Sequence, residues 1–355
     1  MNSSALFNPI TIGNDLQLRN RIVMAPMTRS RAEENDIPSE LAIEYYRQRA
    51  DAGLIITEGT HPSIHGKGYA RTPGIYSDSQ IQAWQKITAA VHQAGSKIFL
   101  QLMHVGRVAH PLNKAQHAQT VAPSAVKAAG TIFTDQQGLQ EMVEPRALQT
   151  QEISQVIEEY RQATVNAFSA GFDGVELHGA SGYLPMQFLS SNTNLRHDQY
   201  GGPASNRIRF ILETLAAMAA VRGPEKVGLR IWPGSNFNDV HDANPVETYT
   251  TLIQAVNPLK LAYLHVIMSP DKNLDAFKLA RENYQGVLII NGGFNAETGA
   301  AAIRTGLADL VSFGSLYVAN PDLATRFAKE AVLNTPDPKT FYTPGAKGYT
   351  DYPTL

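Results

Sequence analysis

The sequence predicts an α/β protein, a (β/α)8 TIM barrel with an N-terminal hairpin and a long insertion after the third barrel strand, on three observations. Eight short apolar runs recur along the chain, each followed by apolar residues at helical spacing. Several runs are almost continuously apolar, as parallel strands are when one face packs the barrel interior and the other meets helices. The 355 residues would make two ordinary domains, yet barrels of this kind run past about 250 residues as one, and no low-complexity linker or internal repeat divides the chain. Residues 1–355 are therefore read as a single barrel domain. A doubly wound open sheet shares the alternation, but the strand count favours closure.

Taken in order, residues 5–19 alternate apolar and polar around Gly13-Asn14-Asp15, the pattern of a small hairpin closing the barrel bottom. The strands are expected at Arg21–Ala25, Gly53–Thr57, Lys97–Leu102, Gly174–Leu177, Val227–Ile231, Ala262–Ile267, Val287–Ile290 and Asp309–Phe313. Helical spacing is clear in Ile153, Val156, Ile157, Tyr160, Thr164 and Ala167, and again in Ile208, Ile211, Leu212 and Leu215. Between Met103 and Thr150 runs a connection rich in His, Gln, Ala and Pro. A connection that long marks a lid or binding loop, and it leaves the strand end at which barrel enzymes place their sites.

Composition narrows the function. Hydrophobic residues at 43% and charged residues at 17% describe a chain with a large core, and 30 basic against 32 acidic residues leave a charge of -2. No global field draws it to nucleic acid or to anionic lipid. The stretch Met1 to Pro9 has neither a basic start nor an apolar run of signal-peptide length, and no run reaches the 18 apolar residues of a membrane span, so a cytoplasmic protein, monomer or homodimer, is expected. With no cysteine, thiol nucleophiles, thiolate zinc and iron–sulfur clusters are excluded, and the chemistry falls to oxygen, nitrogen or a cofactor.

Polar residues gather at the strand ends: Pro26-Met27-Thr28-Arg29, Glu58-Gly59-Thr60, Gln101 with His104, His178 to Tyr183, Arg230, Asn291-Gly292-Gly293 and Gly314-Ser315. Such a ring builds one site. Gly292-Gly293 precedes a helix capped by Asn295, and Gly314-Ser315 precedes one expected to start at Asn320-Pro321. Amides freed by glycine there can surround an anion, so a phosphorylated ligand is expected. Arg230, inside an apolar run, either faces an anionic ligand or pairs with Glu176. Gln101 offers an amide to a ring edge. His178 and Ser181 can hold a substrate oxygen, and Tyr183, with an ordinary pKa near 10, can deliver a proton at neutral pH. His61, His65, His104 and His178 raise a metal-dependent hydrolase as a rival. The first strand ends without a His-x-His pair and no ordered carboxylates accompany the histidines, so no metal is expected.

With these residues in hand, the chain resembles the Old Yellow Enzyme family of FMN-dependent ene-reductases, of the N-ethylmaleimide reductase kind. The resemblance runs through residues 20–29 (NRIVMAPMTR), 53–58 (GLIITE), 72–76 (TPGIY), 171–178 (GFDGVELH), 198–202 (DQYGG) with Asn206-Arg207, 319–323 (ANPDL) and 348–353 (GYTDYP). It implies FMN across the barrel mouth, with Pro26, Met27, Thr28 and Gly59 along the ring system, Gln101 on its pyrimidine edge and Arg230 at its N1 and O2 side. Gly292, Gly293, Gly314 and Ser315 would hold the phosphate. NADPH would pass hydride to the flavin and leave, and an α,β-unsaturated carbonyl compound would take its place, by ping-pong kinetics. His178 and Ser181 would grip the carbonyl and Tyr183 would protonate the α-carbon from the opposite face. Tyr69, Met103 and Tyr342 would shape the substrate pocket.

Three residues depart from the family pattern. Ser181 stands where Asn or His is usual, Ser315 where an Arg pairs with the phosphate, and Met103 where a Trp is common. The first shortens one carbonyl donor, the second exchanges a bidentate charged contact for a neutral one, and the third opens space above the flavin. Together the two serines keep open a paralogue that binds FMN, or another ligand, with weak turnover.

Overall fold

The computed structural model describes residues 4–355, so Met1-Asn2-Ser3 of the N-terminal stretch lie outside the described residues. A hairpin of β1 (Ile10–Ile12) and β2 (Leu16–Leu18) comes first, antiparallel, with Ile12 opposite Leu16 across the Gly13-Asn14-Asp15 turn. Barrel strands follow as β3 (Ile22–Met24), β4 (Leu54–Ile56) and β5 (Lys97–Leu102). The insertion carries β6 (Val121–Ala122), β7 (Thr131–Thr134), β8 (Gly138–Glu141) and β9 (Arg146–Ala147), β6 pairing with β9 and β7 with β8. The barrel resumes with β10 (Gly174–Gly179), β11 (Val227–Ile231), β12 (Tyr263–Ile267), β13 (Leu288–Asn291) and β14 (Leu310–Phe313). Val311 of β14 pairs with Ile22 of β3, closing eight parallel strands.

Helices α1 (Glu40–Gln48), α2 (Asp78–Gln93) and α3 (Thr150–Ser169) lie in the first half of the barrel. After β10 come α4 (Leu184–Leu189), α5 (Ala204–Arg207) and α6 (Arg209–Arg222), then α7 (Pro245–Val256), α8 (Ala276–Asn283) and α9 (Ala296–Arg304). Side chains start several of them: Ser77 and Gln80 form a capping box on α2, Asn295 and Thr298 one on α9. After β14 the structure adds one short helix to the expected one. Directly behind Gly314 comes α10 (Ser315–Ala319), and Asn320-Pro321 then leads into α11 (Leu323–Ala328), the helix expected there. Pro321 lacks the N–H that a continuing helix would need.

Two apolar layers hold the fold. Strand residues such as Ile55, Leu100 and Val175 pack against helix residues Trp84, Tyr160 and Ile211 outside the barrel. Inside its lower end Val23, Leu54, Ile56, Phe99, Tyr263 and Ile289 pack on Ile12, Leu16 and Leu18, so the hairpin plugs the bottom. Gly228 is needed there because a Cβ would strike the Tyr263 ring.

The segment after α11 returns over the upper rim. Arg29 Nε donates to the Phe341 carbonyl at 3.2 Å and its Nη2 to Gly348 at 2.7 Å. Arg31 reaches the carbonyls of Thr340, Gly345 and Lys347, and its guanidinium lies 4.6 Å from the centre of the Tyr349 ring. Tyr349 in turn stacks on Tyr45 of α1 at 4.1 Å. Two arginines beside β3 thus fix a distant segment as part of the site wall.

Candidate active site

The C-terminal ends of the barrel strands open into two adjoining cavities. The inner one, about 340 Å³, is lined by Ala25, Pro26, Met27, Thr28 and Arg29 after β3, Gln101 and Met103 at β5, and His178, Ser181 and Tyr183 at β10. Arg230, Asn291, Gly314, Ser315, Val318, Phe341 and Tyr342 complete it. The outer one, about 700 Å³, shares Thr28, Tyr183 and Tyr342 and is walled by Tyr69, Arg71, Ile132, Phe133, Phe237 and Lys339 among others. The structure thus gathers most of the predicted site residues on one cavity and sets Tyr69 on the next. Gly59, Gly292 and Gly293 line neither. Gly59 is buried behind Met103, whose sulfur a Cβ there would strike, and Gly292, at φ +131°, backs onto Met268.

The floor is polar because the barrel register stacks polar residues of neighbouring strands. Gln101 pairs with Glu176, His178 with Arg230, Arg230 with His265, and Asn291 with Ser312. Gln101 Nε2 donates to Glu176 Oε1 at 2.8 Å, and Glu176 Oε2 lies 2.9 Å from His265 Nδ1. His265 Nε2 meets the Ser312 hydroxyl at 2.8 Å. Burial first, then the Arg230 charge, lowers the His265 pKa to about 4, so the imidazole is neutral. Its proton sits on Nδ1, donated to Glu176, while Nε2 accepts from Ser312. Glu176, fully buried, is held below the ordinary carboxylate range by His265 and Arg230 against its own desolvation.

Arg230 answers the choice left open by the sequence. It makes no contact of ion-pair length with Glu176; Nη2 donates to Asn291 Oδ1 at 3.1 Å and Nη1 lies 3.2 Å from His265 Nε2. Burial lowers its pKa to about 10, which leaves it charged at neutral pH. A cation held by neutral partners therefore looks into the cavity.

His178 closes β10 rather than following it, and its ring is edge-on to Tyr183 at 5.0 Å. Burial, then the nearby Arg230 charge, pushes its pKa well down, and its Nδ1 has no partner. Ser181 adopts a left-handed backbone, φ +57°, with its carbonyl accepting from Asn238 Nδ2 at 2.8 Å. Tyr183 caps α4, and burial together with Tyr69 and Tyr342 raises its pKa well above 10, so it keeps its proton. Its hydroxyl donates to Tyr69 at 3.2 Å.

Several contributors escaped the sequence reading. His265 and Ser312 complete the floor, Asn238 braces Ser181, and Arg71 spans the outer mouth. The signal for His265 was available, since a histidine interrupts the apolar run of β12, where an unpartnered polar group would be costly. Among the described residues no group of three or more His, Cys, Asp or Glu side chains is placed to hold a metal ion, and no helix is long and apolar enough to cross a membrane.

Comparison with known proteins adds identity to this geometry. A protein named "Probable flavin mononucleotide-dependent alkene reductase" from Leishmania infantum is 42% identical, the match covering 98% of this chain and 97% of that one. Morphinone reductase in complex with tetrahydroNAD superposes with a TM-score of 0.94 at 45% identity, covering 99% of this chain and 98% of its own. The old yellow enzyme homologue from Zymomonas mobilis gives a TM-score of 0.96 at 39% identity, covering 99% and 100%. Residues 5–334 match the model of the NADH:flavin oxidoreductase / NADH oxidase family, and with relatives this similar along the whole chain the protein belongs to that family, as a flavin oxidoreductase among the Old Yellow Enzyme homologues.

Proposed function

We propose that the protein is an FMN-dependent ene-reductase that uses NADPH to reduce the activated C=C bond of α,β-unsaturated carbonyl compounds such as enones and maleimides, the two reactants occupying one site in turn. The observation that carries this reading is the meeting of neutral His178, protonated Tyr183 and cationic Arg230 on a single inner cavity.

The residues present fit FMN. Arg230 faces the cavity with only neutral partners, and Gln101 keeps its carbonyl and one N–H for a ring edge. Gly314 lines the cavity with no close neighbour crowding it, a Cβ there reaching Met27 only at a van der Waals distance of 3.6 Å. Pro26, Met27 and Thr28 would flank the ring, Arg230 would sit at its electron-rich edge, and Gly314 and Ser315 would take the phosphate. Bound there, FMN supplies hydride chemistry between the nicotinamide and the alkene.

The chain's own residues do the rest. An imidazole kept neutral donates its N–H to the substrate carbonyl without giving the proton away, and the Ser181 hydroxyl supplies a second donor. Both draw electron density off the β-carbon, where hydride arrives. Tyr183, whose raised pKa keeps it protonated, delivers the proton to the α-carbon. The fixed charge of Arg230 favours the reduced state of an electron-accepting ring placed against it.

Anaerobic stopped flow tests the reading. Flavin absorbance should bleach with NADPH and return when 2-cyclohexenone is added. Colour that bleaches and fails to return with enones or maleimides would instead support a flavin-binding paralogue with weak turnover, the reading that Ser181 and Ser315 favour.

A further inference from the structure

The outer cavity carries charge that the reaction described above leaves unused. Its charged lining residues are Arg71, Asp135 and Lys339, two cations against one anion. Arg71 holds the mouth together: Nε donates to the Ser30 carbonyl at 3.0 Å, Nη2 to the Tyr342 carbonyl at 2.9 Å, and Nη1 pairs with Asp135. Three chain segments of the rim therefore meet on one guanidinium. Its backbone is left-handed, φ +52°, a conformation that an unbranched polar residue adopts at a cost.

Asp135 is the loosest of these partners. It sits in the tight turn between β7 and β8, with a side chain 48% exposed against 22% for Arg71, so water can take over its carboxylate when the pair opens. Lys339 stands exposed on the same cavity, and among the described residues no carboxylate pairs with it.

We propose that Arg71, helped by Lys339, is the anion contact of the outer cavity, exchanging Asp135 for an anionic group on a ligand whose reactive end lies in the inner cavity. The inference rests on the ene-reductase reading, since it concerns the reactants of that site. Two sources share the chemistry: the phosphates of the nicotinamide donor, which must trail outward when the ring is inside, and an acidic tail on the unsaturated substrate. A planar guanidinium binds either in a two-point fashion, and a phosphate brings more charge than the carboxylate it displaces.

The two partners of the pair give the test opposite signs. In anaerobic stopped flow of the flavin-loaded protein, Arg71→Gln should raise the half-saturating NADPH concentration about tenfold or more, and Asp135→Asn should lower it. Lys339→Gln, at an exposed position, should raise it by a smaller factor. The uncharged donor 1-benzyl-1,4-dihydronicotinamide should respond at least tenfold less than NADPH. A parallel arm compares an enone carboxylic acid with its methyl ester in the reoxidation step. Opposite shifts for NADPH, or for the acid but not its ester, support the proposal and say which reactant supplies the anion. Arg71→Gln and Asp135→Asn shifting charged and uncharged ligands alike, in one direction, would mean a plain clamp and overturn it. If Arg71→Gln does not fold, Asp135→Asn decides, and failure to tighten any anionic ligand overturns the proposal. A wild-type protein that bleaches with no nicotinamide sinks the ene-reductase reading itself, whereas normal bleaching with unmoved variants sinks this inference alone.

Discussion

Tyr183 donates its phenolic hydrogen to the Tyr69 hydroxyl at 3.2 Å, where the inner and outer cavities meet. Asn238 Nδ2 donates to the same oxygen at 3.5 Å. In the proposed reaction the proton meant for substrate thus stays on Tyr183, hydrogen-bonded to a neighbouring phenol, until a carbon takes it, and Tyr69 offers a route for its replacement. Tyr183→Phe should slow reoxidation by an enone about a hundredfold or more while bleaching by NADPH changes far less. Tyr69→Phe should slow the same step by a smaller factor and enlarge its solvent isotope effect. Equal slowing of both half-reactions by Tyr183→Phe would remove it as proton donor.

Ser181 holds a left-handed backbone that asparagine tolerates better than most residues, and Asn238 anchors its carbonyl from behind. The backbone is therefore already shaped for a longer amide. Ser181→Asn should raise turnover of 2-cyclohexenone about tenfold or more by restoring reach to the second carbonyl donor. Steady-state kcat at saturating enone measures it, and a fall in kcat would show that the serine is not the limiting donor.

Ser315 opens α10 on the exposed side of Gly314. A guanidinium there would add a charge-assisted contact to the phosphate, worth about 2 kcal/mol or roughly thirtyfold in affinity. Fluorescence titration of FMN into apoprotein should show Ser315→Arg binding more tightly. Unchanged affinity would place the phosphate elsewhere.

Acid should unfold this protein early. Burial holds His265 at about 4 and keeps His61, His104 and His178 well below the usual 6.5, so in this range the unfolded chain binds protons that the folded one refuses. Their contribution is complete above pH 6.5 and is lost as pH falls toward 4, by up to about 1.4 kcal/mol per pH unit for each. Glu58, raised to about 7, Asp51, raised to about 6, and Glu159, also raised by burial, act oppositely, since the folded state keeps their protons longer. His65, lowered by burial, joins the other histidines, so five histidines stand against three carboxylates, and the urea midpoint should be lower at pH 5 than at pH 7. An equal or higher midpoint at pH 5 would contradict this balance.

The sequence made the barrel legible because its strands bury both faces, and runs such as Val227-Gly228-Leu229 announce that directly. It also placed Arg230, Gln101 and His178 in one ring, since polar residues at strand ends have few other places to point. What it hid depends on register. Nothing in the spacing of Glu176 and His265, 89 residues apart, reveals that they lie 2.9 Å from each other, because β11 must first be inserted between their strands. The helix-start signal of Asn320-Pro321 belongs to α11, while the short α10 went unseen because Gly314 follows its strand directly and caps the helix in a single residue. The contribution of Phe341 was invisible for a similar reason, as it reaches the cavity only through carbonyls taken by Arg29 and Arg31.

That last dependence bears on what a truncation would leave behind. Every barrel strand precedes residue 314, yet one wall of the inner cavity is built from Phe341 and Tyr342 and pinned through Gly348. A chain cut short after α11 would keep the whole cylinder and lose this wall, leaving the inner cavity open on one side. If that cavity takes the flavin as proposed, holding the pigment depends on residues that lie beyond the barrel itself.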